Sequence, residues 1–304
     1  MAADLTTKPI KKLKIKRSEL YNANSTDALS AFTHVKEIRL SMLNPEHLLV
    51  PYEVSVLPTG PWLVFAPHAD DESFGMGGSL LRAKAESIAT HVIVLTNGAL
   101  GGDSPDLVAI RQQEVQQAAE LMGLSTLACW PEQDRTLAGA LADSLADSLA
   151  GGLADSLAVS DRLVGKIADA ITAIAPATVF FPAPLELHPD HRAAAQLVWA
   201  ALQRLARAGA AVPAACAYEI SVQSPINLLL DITEQRAQKE RLMAVYASQN
   251  GQNNYQDLVL ALNKARTFTL PVQISHAEGF CRYPAHSLSQ TLQQATADLL
   301  ALYW

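Results

Sequence analysis

The stretch WLVFAPHADDESFGMGG, residues 62–78, decides the fold of this 304-residue chain. Trp62 to Ala66 form a run of five apolar residues, which is the length of a short strand that is buried on both faces. A polar turn with one histidine and three acids follows directly, and then come glycines that allow a helix to begin close against a sheet. This order predicts a strand, a functional loop and a helix.

Similar apolar runs recur along the chain and alternate with stretches of helical spacing. The predicted strands are 62–66, 91–96, 126–130, 178–184, 214–221 and 227–232. The predicted helices are 79–89, 105–122, 161–174, 191–208, 234–248, 255–266 and 287–303. The alternation predicts an α/β fold with a mostly parallel sheet and helices on both faces. In such sheets the functional residues collect where the strands end.

Two segments differ from this pattern. Residues 1–60 are predicted to be an N-terminal appendage, with six cationic side chains between Lys8 and Arg17 and an amphipathic helix at 25–44. The α/β domain is predicted to span 61–304. Within it, the tetrapeptide LADS recurs at 141, 145 and 153, which predicts a helical surface insertion near 137–160 without a chemical role.

Composition excludes several classes of protein. With 49% hydrophobic and 17% charged residues, the chain is typical of a globular protein. Its net charge of -7 disfavours a nucleic acid or an anionic membrane as partner, and no apolar run is long enough to span a bilayer. The three cysteines form no CxxC pair, and we interpret them as buried thiols of a cytoplasmic protein.

A first cluster of polar residues, His68, Asp70, Asp71 and Glu72, follows the first strand. Three successive carboxylates at the end of a buried strand repel one another unless a cation lies among them, so the cluster favours a metal site. The alternative is a polar loop that caps the next helix.

A second cluster, His188, Asp190 and His191, follows the strand at 178–184. Two histidines three residues apart can converge on one point, and the aspartate between them can accept a hydrogen bond from an imidazole. With His68, three of the eight histidines lie at the carboxyl ends of two strands of one sheet. Two histidines and one carboxylate leave zinc an open fourth position, which is typical of a hydrolytic site, where zinc lowers the pKa of water to ~7.

Residues 67–72 (PHADDE) and 188–191 (HPDH) resemble the PHPDDE and HPDH signatures of the PIG-L or LmbE-like N-acetylglucosaminyl deacetylases, a zinc-dependent group with a Rossmann-like fold. Further similarity lies at 96–98 (TNG), 110–123, 246–249 (YASQ) and 277–280 (AEGF). The resemblance spans roughly 61–283 and excludes the appendage and the LADS insertion. Ala69 replaces the usual proline, which bears on the rigidity of the loop more than on metal binding.

The resemblance implies a role for each matching residue. The implied zinc ligands are His68, Asp71 and His191. Asp70 would be the general base. His188 would stabilise the oxyanion and protonate the leaving amine, with Asp190 holding its ring, and Arg111 would contact the substrate.

The implied activity is the hydrolytic removal of an N-acyl group, in particular N-acetyl, from a small amino sugar or glycoside. Homo-oligomers are compatible with the sequence. One alternative is a Mg²⁺-dependent phosphoesterase, although histidine ligands disfavour magnesium. Another is a carbohydrate-binding or regulatory module with a vestigial metal site.

Overall fold

The computed structural model describes residues 43–99, 106–138, 155–251 and 254–304, the side chains of 155–159 excepted. The basic run, the appendage helix up to residue 42, the predicted helix cap at 104–105 and nearly all of the LADS repeats lie outside these ranges. Pro45–Tyr303 belong to one compact unit. Residues 45–60 are part of this unit and contact its sheet, since Ser55 N donates to Leu229 O at 2.7 Å and Leu229 N donates to Ser55 Oγ at 3.1 Å. The domain division at residue 60 stays a prediction.

The described residues form a seven-stranded sheet in the order β3-β2-β1-β4-β5-β7-β6. The strands are β1 (Trp62–Ala66), β2 (Thr90–Thr96), β3 (Thr126–Glu132), β4 (Thr178–Pro182), β5 (Ala214–Tyr218), β6 (Leu228–Asp231) and β7 (Ala277–Tyr283). Strands β1 to β5 pair in parallel, and β7 is antiparallel to both β5 and β6. The predicted Rossmann-like, mostly parallel sheet is confirmed. Strand β7 was not among the predicted strands because Glu278, Gly279 and Arg282 interrupt its apolar run.

The helices are α1 (Asp71–Ala85), α2 (Leu107–Met122), α3 (Asp155–Ile174), α4 (Pro189–Arg207), α5 (Arg236–Ala244), α6 (Ala247–Asn250), α7 (Tyr255–Ala265) and α8 (Leu292–Leu300). Helix α1 begins eight residues before the predicted position, although Gly75 and Gly78 lie inside it and glycine disfavours helix. A Cβ at Gly75 would lie 2.5 Å from a Tyr218 ring carbon, and one at Gly78 would lie 2.7 Å from an Ile232 side-chain carbon. Close packing on the neighbouring side chains therefore requires these glycines.

Two other predicted helices are shorter than expected. The helix predicted over 234–248 is divided because Tyr246 leaves helical geometry, with a φ of -82° and a ψ of 58°, and turns its fully buried ring inward. The helix predicted over 287–303 begins at Leu292, where Thr291 and Gln294 form a capping box.

The core lies on both faces of the sheet, as predicted. Along β1, Leu63 and Phe65 pack beneath α3, α4 and α8, whereas Trp62, Val64 and Ala66 pack beneath α1, α2 and α5. All five side chains of β1 are fully buried. Within the described ranges, no helix is long and apolar enough to cross a membrane.

The prediction that all three cysteines are buried is wrong for one of them. Cys216 and Cys281 are buried in β5 and β7, but Cys129 is exposed. It lies in β3, an edge strand of the sheet, in which every residue is at least partly exposed.

The sheet order places β1 and β4 side by side, although 111 residues separate the end of one from the start of the other. From β1 the chain proceeds outward to β2 and β3, and then returns to the other side of β1 as β4. After β1 the chain continues into a helix on one face of the sheet, and after β4 it continues into a helix on the other face. Open sheets bind ligands in the crevice that such a reversal of strand order forms.

Candidate active site

The two predicted polar clusters meet at the reversal of strand order. His68, Asp70 and Asp71 follow β1, and His188 and His191 flank the start of α4 after β4. The Asp71 carboxylate lies between two imidazoles, with Oδ2 3.1 Å from His68 Nδ1 and Oδ1 3.2 Å from His191 Nε2. One carboxylate thus joins histidines from both segments.

The donor atoms present fit a divalent cation. His68, His188 and His191 each offer a ring nitrogen within 4.8 Å of the others, and the described residues contain no other such group of three potential ligands. Asp71 adds a carboxylate that contacts two of these rings. Two imidazoles with one carboxylate is a ligand set that zinc accepts.

Electrostatics favour positive charge at this position. Burial lowers the pKa of His68, but the hydrogen bonds with Asp190 and Asp71 raise it more, to about 10. Burial likewise lowers the pKa of His191, whereas the charge of Asp71 raises it to about 9. Burial raises the pKa of Asp71, but His191 and His68 hold it far below its usual range. The carboxylates stabilise cationic imidazoles, so the site has the charge balance that suits a metal ion.

Asp70 lies beside the ligand cluster in an uncommon backbone conformation. Its φ is 136°, which for a residue other than glycine costs about 1–3 kcal/mol. Its carbonyl accepts from Ser73 N and Phe74 N, both at 2.9 Å, and so opens α1. Burial and the neighbouring Asp71 charge raise its pKa well above the usual value. A carboxylate of raised pKa that faces the cleft is suited to accept a proton.

Glu72 holds the backbone of Asp70 in place through a hydrogen bond. Its fully buried carboxylate accepts from Asp70 N at 3.2 Å and from Ser73 Oγ at 2.8 Å, and the hydroxyl of Tyr246 donates to it as well. Burial raises the pKa of Glu72. Tyr246, for which the sequence predicts no role of its own, therefore supports the strained turn through Glu72.

The structure gives the Asp190 carboxylate a different neighbour from the one that the resemblance implies. It accepts from Arg135 N and from Ala138 N, the latter at 3.1 Å, and lies 3.4 Å from His68 Nε2. Its link to His188 runs instead through the backbone, because His188 Nδ1 accepts from Asp190 N at 3.2 Å, so that the His188 side chain caps α4. Burial and the two nearby imidazoles lower the pKa of His188.

Arg111 reaches the site from α2 with only 4% of its surface exposed. Its Nη1 lies 3.8 Å from Asp134 Oδ2, and its Nε has no hydrogen-bond partner among the described residues. Gly98 makes room for it, because a Cβ there would lie 2.5 Å from Arg111 Cδ. Gly98 also has a φ of 74° and donates its N–H to Asp134 Oδ1 at 2.9 Å.

Part of this site lines a cleft of about 610 Å³, within the usual range for small-molecule sites. Its polar side contains His68, Asp70, Asp71, Arg111, His188 and His191. The cleft is also lined by the apolar or aromatic residues Phe74, Leu187, Ile220, Tyr255, Leu258 and Val259. The cleft can accept a ligand with polar and apolar surfaces.

Two acidic side chains at the site belong to no signature motif. Asp134 follows β3 and binds Gly98, and Glu186 follows β4 and approaches His191. Both residues lie shortly after the end of a strand that points to the cleft. The expectation that functional residues collect at strand ends is therefore the sequence signal that could have found them.

Comparison with known proteins finds similarity to one family and to several solved structures. Residues 63–202 match the family model described as PIG-L, GlcNAc-PI de-N-acetylase. The probable N-acetyl-alpha-D-glucosaminyl L-malate deacetylase 2 of Bacillus anthracis is 31% identical in an alignment of 83 residues that covers 25% of this chain. The match spans 37% of the length of that relative.

Solved structures share the fold. The conserved protein TT1542 from Thermus thermophilus is 28% identical with a TM-score of 0.58, over 73% of this chain and 94% of the other. The N,N'-diacetylchitobiose deacetylase from Pyrococcus horikoshii is 19% identical with a TM-score of 0.57, over 88% of this chain and 96% of the other. At that identity, the second likeness supports the fold alone.

Proposed function

Because residues 63–202 match the PIG-L family model, we propose that this chain is a zinc-dependent hydrolase that removes an N-acyl group, in particular N-acetyl, from a small amino sugar or glycoside. One observation carries the proposal. Asp71 contacts both His68 and His191, and Asp70 lies next to it on the wall of the same cleft.

The metal ligands in this proposal are His68, Asp71 and His191. A nitrogen, nitrogen, oxygen donor set suits zinc better than magnesium, which prefers oxygen ligands. When bound, zinc lowers the pKa of water towards ~7 and polarises the acyl carbonyl.

The catalytic roles then follow from position. Asp70 accepts the proton of the attacking water, and its raised pKa allows it to hold that proton. His188, which lines the cleft at the start of α4, stabilises the oxyanion and gives a proton to the leaving nitrogen. Arg111, which also lines the cleft, contacts a polar group of the substrate.

The name of one similar protein supports the substrate class. The Bacillus anthracis relative is named for an N-acetylglucosaminyl malate, so its name contains an N-acetylated amino sugar. A cytoplasmic location remains part of this proposal.

The deciding experiment is a screen of N-acetylated amino sugars and glycosides for the release of free amine and acetate. The purified protein is treated with a chelator and then supplied with zinc or magnesium. We expect release with zinc, none after chelation, and a loss of about 10²- to 10⁴-fold in Asp70→Asn with zinc still bound.

Other outcomes favour the alternatives. Hydrolysis of phosphate esters with magnesium, and of no amide with zinc, would indicate the phosphoesterase. Retention of zinc and binding of sugars, with no acid released from any N-acyl compound, would indicate a binding or regulatory module.

A further inference from the structure

Glu186 is a buried carboxylate that the proposed reaction does not use directly. Its residue is 1% exposed, and it lies in the turn between β4 and α4, where its N–H donates to Ala183 O at 3.2 Å. A buried carboxylate is costly unless its oxygens accept hydrogen bonds, so its partners show what it holds in place.

One side of the carboxylate binds the wall of the cleft. Oε1 accepts from Ile220 N at 2.7 Å and from Ser221 N at 3.1 Å, and Oε2 accepts from Ser221 N at 3.1 Å and from the Ser221 hydroxyl. Ile220 and Ser221 both line the cleft. Glu186 therefore positions this part of the wall.

The other side of the carboxylate faces His191. His191 Nε2 points to Asp71 Oδ1, and its Nδ1 is buried without a hydrogen-bond partner among the described residues. The Oε2 atom of Glu186 lies 3.6 Å from that Nδ1, slightly beyond hydrogen-bond distance. An imidazole that binds a metal through Nε2 carries its proton on Nδ1, and that N–H needs an acceptor.

We propose that Glu186 is a positioning residue that accepts the Nδ1 proton of His191, fixes the ring with Nε2 toward the metal and ties this ligand to the Ile220–Ser221 wall. The inference rests on the proposed function, since it requires a metal at His68, Asp71 and His191. An acceptor of this kind sets the tautomer and orientation of the ring and increases its basicity as a ligand.

Metal affinity tests the inference apart from activity. Zinc binding is measured by competition with a chromophoric chelator for the unaltered protein, Glu186→Gln and Glu186→Ala, with the Co²⁺ absorption spectrum as a second readout. We expect an affinity about 10- to 100-fold weaker in both variants and a changed Co²⁺ spectrum.

Glu114→Gln is the matched control. Glu114 is buried and accepts from Ser248 N at 2.9 Å and from Ser248 Oγ at 2.6 Å, as Glu186 does from Ser221, but no contact with a histidine is found for it in the described structure. Its zinc affinity should stay within about twofold of the unaltered protein. An equal loss in this control would overturn the specific role of Glu186.

A measurement on the unaltered protein tests the inference even if the Glu186 variants fail to fold. In long-range ¹H–¹⁵N spectra of the zinc-loaded protein, the His191 ring, assigned with His191→Asn, should carry its proton on Nδ1. A proton on Nε2, or zinc affinity unchanged in both folded Glu186 variants, would overturn the inference while the proposed function stands. If the unaltered protein binds no divalent metal, both proposals fail.

Discussion

The Asp190 carboxylate lies 3.4 Å from His68 Nε2, so an acid from the segment after β4 contacts an imidazole from the segment after β1. The opposite ring nitrogen, His68 Nδ1, lies 3.1 Å from Asp71. Asp71 thus contacts His68 at Nδ1, the nitrogen on the side of the proposed metal position. Asp190 contacts it at Nε2, the opposite ring nitrogen.

Asp190→Asn should therefore weaken zinc binding about 10- to 100-fold, because the amide is a poorer acceptor for the His68 N–H. If Asp190 instead served to orient His188, as the resemblance implies, the variant would lose kcat and keep its zinc affinity. Zinc titration and steady-state kinetics on one preparation separate the two. Unchanged zinc affinity would show that the contact with His68 is unimportant.

The ligand set can be tested by comparing Asp71→Ala with His188→Ala. Both residues are close enough to take part in a metal site, since Asp71 contacts two of the rings and His188 has a ring nitrogen within the same 4.8 Å group. We expect Asp71→Ala to lose zinc, and His188→Ala to retain about one zinc per chain while kcat falls about 10²- to 10⁴-fold. Metal analysis after dialysis gives the answer. The reverse pattern would replace Asp71 with His188 as the third ligand.

Gly98→Ala should impair substrate binding through Arg111. The added Cβ would lie 2.5 Å from Arg111 Cδ, and the φ of 74° is unfavourable for alanine. We expect KM to rise about tenfold in Gly98→Ala and in Arg111→Met, with zinc content unchanged, because neither residue is a proposed ligand. Gly209→Ala is the control, because Gly209 has a similar φ of 70° but no described atom within 4 Å of the added carbon. An unchanged KM in Arg111→Met would remove Arg111 from substrate binding.

A buried ion pair joins α5 to β7. Lys239 Nζ lies 2.6 Å from Glu278 Oε1, and Glu278 also accepts from Gly78 N and Ser79 N, both at 2.8 Å. Lys239→Met leaves this carboxylate buried without its cation and should lower the free energy of unfolding by about 3–5 kcal/mol in urea denaturation.

Arg236→Met, in the same helix, is the control for this pair. Arg236 forms an exposed pair with Glu240 at 3.4 Å, and its loss should cost no more than about 1 kcal/mol. Equal losses of unfolding free energy in the two variants would mean that the buried pair adds little.

The three thiols should react differently. Burial raises the pKa of Cys216 and of Cys281 to about 12, so at pH 8 both remain protonated as well as inaccessible. Cys129 is exposed. A native titration with a thiol reagent at pH 8 should modify one thiol per chain, and three after unfolding. Raising the pH to 9 should accelerate the first reaction without exposing the other two. Rapid reaction of three thiols in the native protein would contradict the buried positions in β5 and β7.

Much of the fold could be predicted because the buried strands other than β7 have a local signature. The five residues of β1 are apolar, and the structure buries all of them between two layers of helices. Where a local preference and packing conflict, the sequence misleads: α1 contains glycines that disfavour a helix but allow close packing, and β7 contains buried Glu278, whose charge is balanced by Lys239 from another element.

The sequence by itself determined the α/β class and placed His68, Asp71, His188 and His191 at strand ends, because side-chain polarity and spacing along the chain are local properties. Only the tertiary structure decided which groups touch. Asp190 contacts His68 because β1 and β4 are adjacent in the sheet, and Glu186 lies between His191 and the Ile220–Ser221 wall because β4 and β5 are adjacent. Contacts between segments more than 100 residues apart depend on strand order, which no local pattern encodes.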